Sequence, residues 1–361
     1  MKKIRVGILF GGQSAEHEVS IRSAKNVYDA LDKSKYEPVL IGITKKGEWI
    51  SLSEQEFLKL QPSLLSSSSD KQSVIPNLFR NPIEILNQVQ DDGHVDVVFP
   101  VLHGPFGEDG TVQGMLKLLG IPFVGPGVLG SAVGMDKDVA KRLLRDAKIS
   151  VVPFLVFHVA EKDKISYENI VKELGLPFFI KPANLGSSIG VSKVQVEKEF
   201  QSAIDEAFKY DRKILIEKGI DAREIECAVL GNEEMKASVL GEIIPHCEFY
   251  DYDAKYIDED GAGLQIPAKL AEDESRLIQE LAIKTCRVLE IEGMARVDLF
   301  VDKGTSEIYV NEVNTIPGFT SISMYPKLWQ ESGVSYQELI DQLILLAIAR
   351  QSRENSLRTT R

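Results

Sequence analysis

Two strand-like segments near the carboxyl end of the chain, residues 293–301 and 308–318, constrain its fold more than any other feature. Both alternate apolar and polar residues with the period of two that is typical of a β-strand. Arg296 and Asp298 share the polar face of the first segment, and Glu312 and Asn314 share that of the second. Residues 302–304, Asp-Lys-Gly, are a turn signal, so the segments are predicted to pair as a hairpin.

The predicted hairpin carries a candidate metal site. Pairing would bring oxygens of Asp298, Glu312 and Asn314 together, with Arg296 beside them. Such hard oxygen donors suit Mg²⁺, which binds a few carboxylates and leaves its other positions to water and nucleotide phosphates. The alternative is an ordinary hairpin whose polar face meets solvent, and the hairpin alone does not decide between the two.

Composition limits the partners of the chain. Its 361 residues predict roughly two to three domains. The formal net charge of -12 argues against non-specific binding to nucleic acid or to anionic membranes. No stretch reaches the roughly 20 apolar residues of a membrane span.

The cysteines and the first residues favour a cytoplasmic protein. Cys227, Cys247 and Cys286 are far apart and form no C-x-x-C pair, which disfavours zinc binding and fits reduced thiols. The apolar run in residues 1–10 is interrupted by Arg5 and lacks a cleavage site, so it is interpreted as a buried strand and not as a signal peptide.

Periodicity predicts an α/β fold that opens with a doubly wound domain. The predicted strands are 4–10, 38–43, 95–100, 177–182, 191–194 and 214–218, and the predicted helices include 20–31, 111–119, 136–146 and 275–289. Residues 61–92 hold polar runs with little periodicity and are predicted to be a surface insertion.

A glycine- and serine-rich loop at residues 186–190 is a candidate phosphate-binding element. Small residues let backbone N–H groups approach an anion, and Ser187 and Ser188 add hydroxyl donors. Lys181 shortly before the loop favours this interpretation over a plain hairpin turn, which remains the alternative.

Glu16 and His103 lie in loops that follow predicted strands, at the sheet edge where open α/β folds bind ligands. Glu16 could hold an ammonium group or could be a solvated or helix-capping acid. His103 could contact a ligand or serve as a structural hydrogen-bonding group. Residues 11–12 begin a glycine turn, but the third glycine of a dinucleotide fingerprint is missing.

Residues 250–263 are polar, rich in tyrosine and end in Gly-Ala-Gly. Long ordered loops of this kind often act as lids, and the alternative is a mobile surface loop.

These segments occur in the order found in one family, and the chain closely resembles the D-alanine–D-alanine ligases of the ATP-grasp superfamily. The motifs that carry the resemblance are residues 11–18 (GGQSAEHE), 103–110 (HGPFGEDG), 135–137 (MDK), 181–182 (KP), 186–190 (GSSIG), 250–256 (YDYDAKY), 296–298 (RVD) and 311–318 (NEVNTIPG). The resemblance covers nearly the whole chain and leaves residues 61–92 unmatched.

The resemblance implies an ATP-grasp fold with a doubly wound domain at residues 1–125 and two α+β domains, 126–217 and 218–361, that clasp ATP. It implies that ATP drives the joining of two D-alanines for peptidoglycan synthesis, with ADP and phosphate as products. It further implies two Mg²⁺ ions, with Mn²⁺ as a possible substitute, a homodimer and a cytoplasmic location.

The resemblance also implies residue roles. Nucleotide contacts fall on Lys137, Lys181, Gly186, Ser187, Ser188, Glu217, Lys218, Ile220, Glu224 and Lys255, and the metal ligands are Asp298, Glu312 and Asn314. Substrate and transition-state contacts fall on Glu16, His103, Arg296, Gly318, Ser323 and Met324. Ser187 and Tyr256 would link two lids with Glu16 over the site.

Three other functions are alternatives. The nearest is a related ligase that makes D-alanyl-D-lactate or D-alanyl-D-serine, although Tyr256 favours an amine nucleophile. A non-catalytic nucleotide-binding module is disfavoured because Arg296, Asp298, Glu312 and Asn314 are all present. A dehydrogenase is disfavoured by the incomplete fingerprint after the first strand.

Overall fold

The computed structural model describes residues 2–60, 78–79, 95–245 and 262–358. Three β-sheets organise these ranges, and their strands come from residues 4–101, 154–218 and 222–314. The predicted α/β class is therefore confirmed. No helix in the described ranges is both long enough and apolar enough to cross a membrane.

The first sheet is the doubly wound unit at the amino end. Its strands are β1 (Ile4–Gly11), β2 (Tyr36–Ile43), β3 (Trp49–Leu52), β4 (Leu78–Phe79) and β5 (Val97–Val101), in the order β4-β3-β2-β1-β5. Its helices are α1 (His17–Ala30), α2 (Glu54–Lys59) and α3 (Thr111–Leu118). Val6 and Ile8 face one core cluster and Leu9 faces another, so β1 is buried on both faces, as a central parallel strand requires.

Two helix starts differ from the prediction by three residues, because apolar periodicity marks the buried stripe and misses a polar first turn. The helix predicted at 20–31 begins at His17, whose ring Nδ1 lies 2.8 Å from the carbonyl oxygen of Gly12. The helix predicted at 275–289 begins at Glu272 with three acidic residues, which the helix dipole favours there. The predicted insertion lies outside the described residues, except for Leu78 and Phe79, which pair with β3.

The second sheet has the strand order β6-β9-β7-β8. Its strands are β6 (Phe154–His158), β7 (Phe178–Pro182), β8 (Ser192–Val194) and β9 (Lys213–Lys218). Helices α6 (Tyr167–Leu174) and α7 (Glu197–Tyr210) cover one face, where Ile180 and Ile216 belong to the core cluster. Strand alternation therefore turns Lys181 and Glu217 to the opposite face.

The third sheet is antiparallel throughout. Its strands are β10 (Ala222–Gly231), β11 (Lys236–Pro245), β12 (Ala262–Gln265), β13 (Gly293–Asp302) and β14 (Ile308–Asn314), in the order β12-β11-β10-β13-β14. The predicted hairpin is the β13–β14 pair. Helix α8 (Glu272–Val288) packs on the face that carries Val297 and Leu299, so Arg296 and Asp298 face the other way.

The remaining helices connect these layers. They are α4 (Val128–Met135), α5 (Lys137–Asp146), α9 (Met324–Glu331) and α10 (Tyr336–Ser356). One core cluster joins the first and third sheets, and within it the rings of Phe99 and Phe319 meet edge to face at 5.5 Å. Ala140 and Leu144 of α5 pack in the core of the third sheet. The domain boundaries after residues 125 and 217 stay a prediction.

Candidate active site

Loops of the first sheet meet the polar faces of the other two sheets. The hydroxyl of Ser187, in the loop after β7, donates a hydrogen bond to the carboxylate of Glu16 in the loop after β1. The ammonium of Lys137 lies 3.4 Å from the carboxylate of Glu312 on β14. These contacts bring segments that are distant in sequence to one place.

The hairpin places its predicted polar residues side by side. Asp298 is directly opposite Glu312, and Arg296 is directly opposite Asn314. Arg296 donates from Nε and Nη2 to the two oxygens of Asp298, both at 2.7 Å. The Asn314 amide donates to Asp298 Oδ2 at 2.9 Å. The predicted sharing of one face is therefore what the register produces.

The donor chemistry of this face fits a hard divalent cation. Two carboxylates and one amide oxygen are the ligand types that Mg²⁺ accepts while keeping several waters. Lys137 and Arg296 lie against these carboxylates. A cluster of three acidic, histidine or cysteine side chains suited to a metal does not occur among the described residues, so the amide of Asn314 would have to supply the third oxygen.

The second sheet contributes a buried group of charges. The carboxylate of Glu217 pairs with the ammonium of Lys181 on one oxygen and with that of Lys141 at 2.8 Å on the other. Burial by itself would raise the pKa of the Glu217 carboxyl, but the two lysines hold it below its usual value. Burial lowers the pKa of Lys141.

Lys141 was not predicted from the sequence. It lies on α5, is only 1% exposed, and is one of the largest fully buried side chains in the described part of the protein. A lysine at a buried position of an amphipathic helix is a signal for a partner, because a buried ammonium without one is strongly disfavoured. The sequence alone does not say which carboxylate that partner is.

The 186–190 loop is not a relaxed hairpin turn. Ser187 and Ser188 both have left-handed backbone angles, with φ of 54° and 57°, which are uncommon for residues other than glycine. Residues held in this way cluster at ligand sites. The main-chain carbonyl of Leu185 accepts a hydrogen bond of 2.6 Å from Lys137, so the loop is tied to the start of α5.

Glu16 is buried and caps α1 through its main chain, where its carbonyl accepts from the Ser20 N–H at 3.0 Å. It occupies the position before α1 but makes no side-chain capping bond, and its side chain is buried. Its carboxylate accepts from Ser187, as described above. The solvated alternative for Glu16 is therefore wrong, and the capping role belongs to its main chain and not to its carboxylate.

His103 is buried and ties the first sheet to the loop after β14. Its Nδ1 lies 3.0 Å from the carbonyl oxygen of Ile316, and Nε2 has no hydrogen-bond partner among the described residues. Burial lowers the pKa of the imidazole. His103 thus makes a structural hydrogen bond and keeps one ring nitrogen available.

Glu108, which belongs to the 103–110 motif and had no role predicted from the sequence, holds the same loop. Its carboxylate accepts from the N–H groups of Gly104 at 2.7 Å and Ile316 at 3.1 Å. Burial, with the nearby charge of Glu16, raises the pKa of Glu108 to about 8. Glu108 and His103 together position the backbone that leads to Gly318.

Gly318 and Ser323 are close neighbours. A Cβ added at Gly318 would lie 2.7 Å from Ser323 Oγ, so any other residue at position 318 would displace the Ser323 hydroxyl. The Ser323 hydroxyl accepts from the Thr320 N–H at 3.0 Å. The side chain of Met324 is buried in the core between the first and third sheets, near Gly241.

The other predicted nucleotide contacts lie beside the second and third sheets. Lys218 ends β9 and is exposed, Ile220 lies in the connection to β10, and Glu224 lies on β10 opposite Phe300. Lys255, Tyr256 and Cys247 lie outside the described residues. So does the predicted lid, residues 250–263, apart from Ala262 and Gly263, which belong to β12.

The chain matches family models and known proteins over most of its length. Residues 5–126 match the family model described as D-ala D-ala ligase N-terminus, and residues 143–345 match that described as D-ala D-ala ligase C-terminus. The chain is 53% identical over 365 residues to a D-alanine–D-alanine ligase of Oceanobacillus iheyensis, covering 100% of this chain and 99% of the relative. It is 48% identical over 369 residues to D-alanine–D-alanine ligase A of Escherichia coli K12, covering 100% of both.

Solved structures with similar folds include two ligases. The D-alanine–D-alanine ligase of Coxiella burnetii has a TM-score of 0.83 at 38% identity, over 98% of this chain and 97% of that one. The VanG D-Ala:D-Ser ligase of Enterococcus faecalis has a TM-score of 0.82 at 36% identity, over 96% of this chain and 100% of that one.

Proposed function

The chain belongs to the D-alanine–D-alanine ligase family, whose members are ATP-grasp enzymes, and from that premise we propose that it joins two D-alanine molecules with hydrolysis of ATP to ADP and phosphate. The product, D-alanyl-D-alanine, serves peptidoglycan synthesis. The observation that carries the proposal is the link made by Lys137, whose ammonium contacts the carbonyl of Leu185, beside the 186–190 loop, and the carboxylate of Glu312. This link joins the Glu16–Ser187 pair to the hairpin face of Arg296 and Asp298, so the proposed substrate and nucleotide contacts fall in one site.

The chemistry follows from the weakness of a carboxylate as an acylating agent. The first D-alanine is activated when its carboxylate takes the γ-phosphoryl group of ATP, which forms an acyl phosphate and releases ADP. The amine of the second D-alanine then attacks the carbonyl carbon, and phosphate leaves. Positioning and charge neutralisation supply most of the rate, because the protein forms no covalent bond.

The nucleotide side of the site is assigned to the second sheet and its loops. Lys137 and Lys181 hold phosphates, and the 186–190 loop, including Gly186, Ser187 and Ser188, folds over them. Adenine lies beside Glu217, Lys218 and Ile220, the ribose meets Glu224, and Lys255 makes another phosphate contact. The buried Lys141–Glu217–Lys181 group supports this assignment, because it supplies fixed charge of both signs at that face.

Asp298, Glu312 and Asn314 would hold two Mg²⁺ ions, with Mn²⁺ as a possible substitute. A bound cation would neutralise the charge of the phosphates being transferred. Glu312→Gln should remove Mg²⁺-dependent turnover while circular dichroism stays that of the native chain. Mn²⁺ titration by electron paramagnetic resonance, without ATP or D-alanine, should show weaker binding to the variant. Near-normal turnover at ordinary Mg²⁺ would contradict the assignment.

The substrate side is assigned to the loops between the first and third sheets. Glu16 holds the ammonium of the first D-alanine, and His103 lies near its carboxylate. Arg296 and the N–H of Gly318 stabilise the tetrahedral oxyanion. Ser323 binds the carboxylate of the second D-alanine, with Met324 beside it.

Two lids protect the acyl phosphate in this proposal. Ser187 belongs to one and Tyr256 to the other, and Glu16 joins them when both close. Excluding water matters because water competes with the D-alanine amine for the acyl phosphate. The hydrogen bond between Ser187 and Glu16 supports the proposed contact of the first lid with Glu16. Tyr256→Phe should raise the ratio of ATP hydrolysed to dipeptide formed.

A second product is considered because the VanG D-Ala:D-Ser ligase has a similar fold. Purified chain supplied with ATP, D-alanine and either D-serine or D-lactate would decide. If D-alanyl-D-alanine is the main product, the first function is supported. If D-alanyl-D-serine or D-alanyl-D-lactate is the main product even with excess D-alanine, the alternative is supported.

We also propose a homodimer in the cytoplasm. Leu118 on α3 is 91% exposed and Leu129 on α4 is exposed, so these neighbouring helices present apolar surface. Cys227 and Cys286 are buried and unpaired with each other, in keeping with a reducing compartment. The three proposed domains are residues 1–125, 126–217 and 218–361.

Phosphate release from ATP tests the function most simply. We expect release to depend on D-alanine and dipeptide to form in equal amount. Equal release with and without D-alanine, or with L-alanine in its place, would contradict the proposal. The Arg296→Ala variant should lower kcat by about 10²-fold, as expected for loss of an oxyanion donor.

A further inference from the structure

The polar face of the third sheet is not polar along the whole of β10. Ala228 and Leu230 on this face belong to the core between the first and third sheets. Glu226, the next residue on the same face, is instead a carboxylate that is only 5% exposed. A buried carboxylate is strongly disfavoured unless it is paired, so its partner defines what it does.

The partner of Glu226 is the guanidinium of Arg296. Glu226 lies directly opposite Asp298 across the β10–β13 pair, and its Oε2 is 3.0 Å from Arg296 Nε. The same guanidinium donates to both oxygens of Asp298. Arg296 therefore lies between two carboxylates from neighbouring strands.

The carboxylates of Asp298 and Glu226 have different neighbours apart from Arg296. Asp298 also accepts from Asn314 and lies directly opposite Glu312, so its oxygens belong to the face assigned to the divalent cations. A cation bound to Asp298 competes with Arg296 for the same oxygens. Glu226 lies on the far side of β13 from Glu312 and can keep its contact with Arg296.

We propose that Glu226 is a positioning residue that holds the Arg296 guanidinium at the reacting centre while Asp298 binds the catalytic cations. This inference rests on the proposed function of Arg296 as an oxyanion donor. An oxyanion donor must be fixed before charge develops, because reorienting it during the reaction removes its advantage. Glu226 would act only through Arg296 and would not touch ATP or D-alanine.

The test uses Glu226→Gln, which keeps the shape of the side chain and removes its charge. We expect kcat to fall roughly tenfold, within the range of coupling between contacting residues, while KM for ATP is unchanged. In the Arg296→Ala background the same substitution should have no further effect on kcat. Glu226→Asp, which keeps the charge, should lose less activity than Glu226→Gln.

The matched control is Glu242→Gln. Glu242 on β11 forms a two-point ion pair with Arg223, at 2.8 and 2.7 Å, on the same sheet. Removing the Glu242 carboxylate should leave kcat and KM unchanged. This control distinguishes a general effect of breaking a carboxylate–arginine pair on this sheet from the specific effect of breaking the Glu226–Arg296 pair.

Three outcomes would overturn the inference. A raised KM for ATP with unchanged kcat would make Glu226 a nucleotide contact. A raised Mg²⁺ requirement would make it a metal ligand. Equal effects of Glu226→Gln with Arg296 present and absent would show that it acts independently.

A measurement without ligands separates this inference from the proposed function. In urea unfolding of the chain alone, the double variant Glu226→Gln with Arg296→Ala should unfold at a higher urea concentration than additivity predicts. Additive midpoint shifts would overturn the pairing. Absence of ligase activity in the unmodified chain would contradict the proposed function and leave this result standing.

Discussion

Replacing Glu217 by Gln is expected to destabilise the chain more than replacing Lys141 by Met, because the two substitutions leave different charges behind. The Glu217 carboxylate lies between two ammonium groups, that of Lys141 at 2.8 Å and that of Lys181. Without the Glu217 carboxylate, the ammonium groups of Lys141 and Lys181 lie near each other with little exposure to solvent. Without Lys141, Glu217 still pairs with Lys181.

The magnitudes follow from burial. Removing one partner of a buried ion pair typically destabilises by about 3–5 kcal/mol, and Glu217→Gln should lie in this range. Lys141→Met leaves one oxygen of Glu217 without its partner, which should destabilise by about 1–3 kcal/mol. Combining the two substitutions removes the second buried cation, so the double variant should be more stable than Glu217→Gln alone.

Urea unfolding without nucleotide, followed by circular dichroism, would measure this order. The control is Lys162→Met, since Lys162 pairs with Asp205 at the surface, where such a pair contributes little. Its unfolding midpoint should match that of the unmodified chain. If Lys141→Met unfolds at lower urea than Glu217→Gln, the account of the buried charges is wrong.

Four further predictions concern other parts of the fold. Gly130→Ala should destabilise by about 1–3 kcal/mol in urea unfolding, because the new Cβ would collide with a main-chain oxygen at Glu290. Gly114→Ala, at a helical position open to solvent, should be neutral or stabilising by about 0.5–1 kcal/mol. The pKa of Glu108, raised by burial to about 8, means that the folded chain keeps a proton that the unfolded chain releases near pH 4.5. The free energy of unfolding should therefore contain a component that falls as pH rises from about 4.5 to 8, and Glu108→Gln should remove it. Arg350→Met should destabilise by about 1–3 kcal/mol, because this buried guanidinium donates to the main-chain carbonyls of Phe123 and Gly125.

The hairpin shows how much a sequence can predict. Strand alternation and one turn signal were enough to place Asp298 beside Glu312, since a shift of one residue would turn the apolar face to solvent. Six of the nine strands described in the first two sheets were predicted, whereas the short strands β3 and β4 and the half-buried strand β6 were not. Start positions of α1 and α8 were missed because their first turns are polar.

The residues of the site that were not predicted from the sequence depend on contacts between segments that are distant along the chain. Nothing in the local sequence of Lys141 indicates that Glu217 lies beside it, and nothing near Glu226 indicates Arg296. The resemblance supplied roles for residues in motifs, whereas these residues act through their neighbours. The sequence could not show which group the Glu16 carboxylate contacts, and the structure identifies its partner as Ser187.

Isotope transfer tests the central claim most directly. D-Alanine labelled with ¹⁸O in its carboxylate would be incubated with the purified chain, ATP and Mg²⁺, and the released phosphate analysed by mass spectrometry. An acyl phosphate carries one carboxylate oxygen into the phosphate, so one ¹⁸O should appear in phosphate for each dipeptide formed. Dipeptide accompanied by unlabelled phosphate would contradict activation of the first D-alanine at this site.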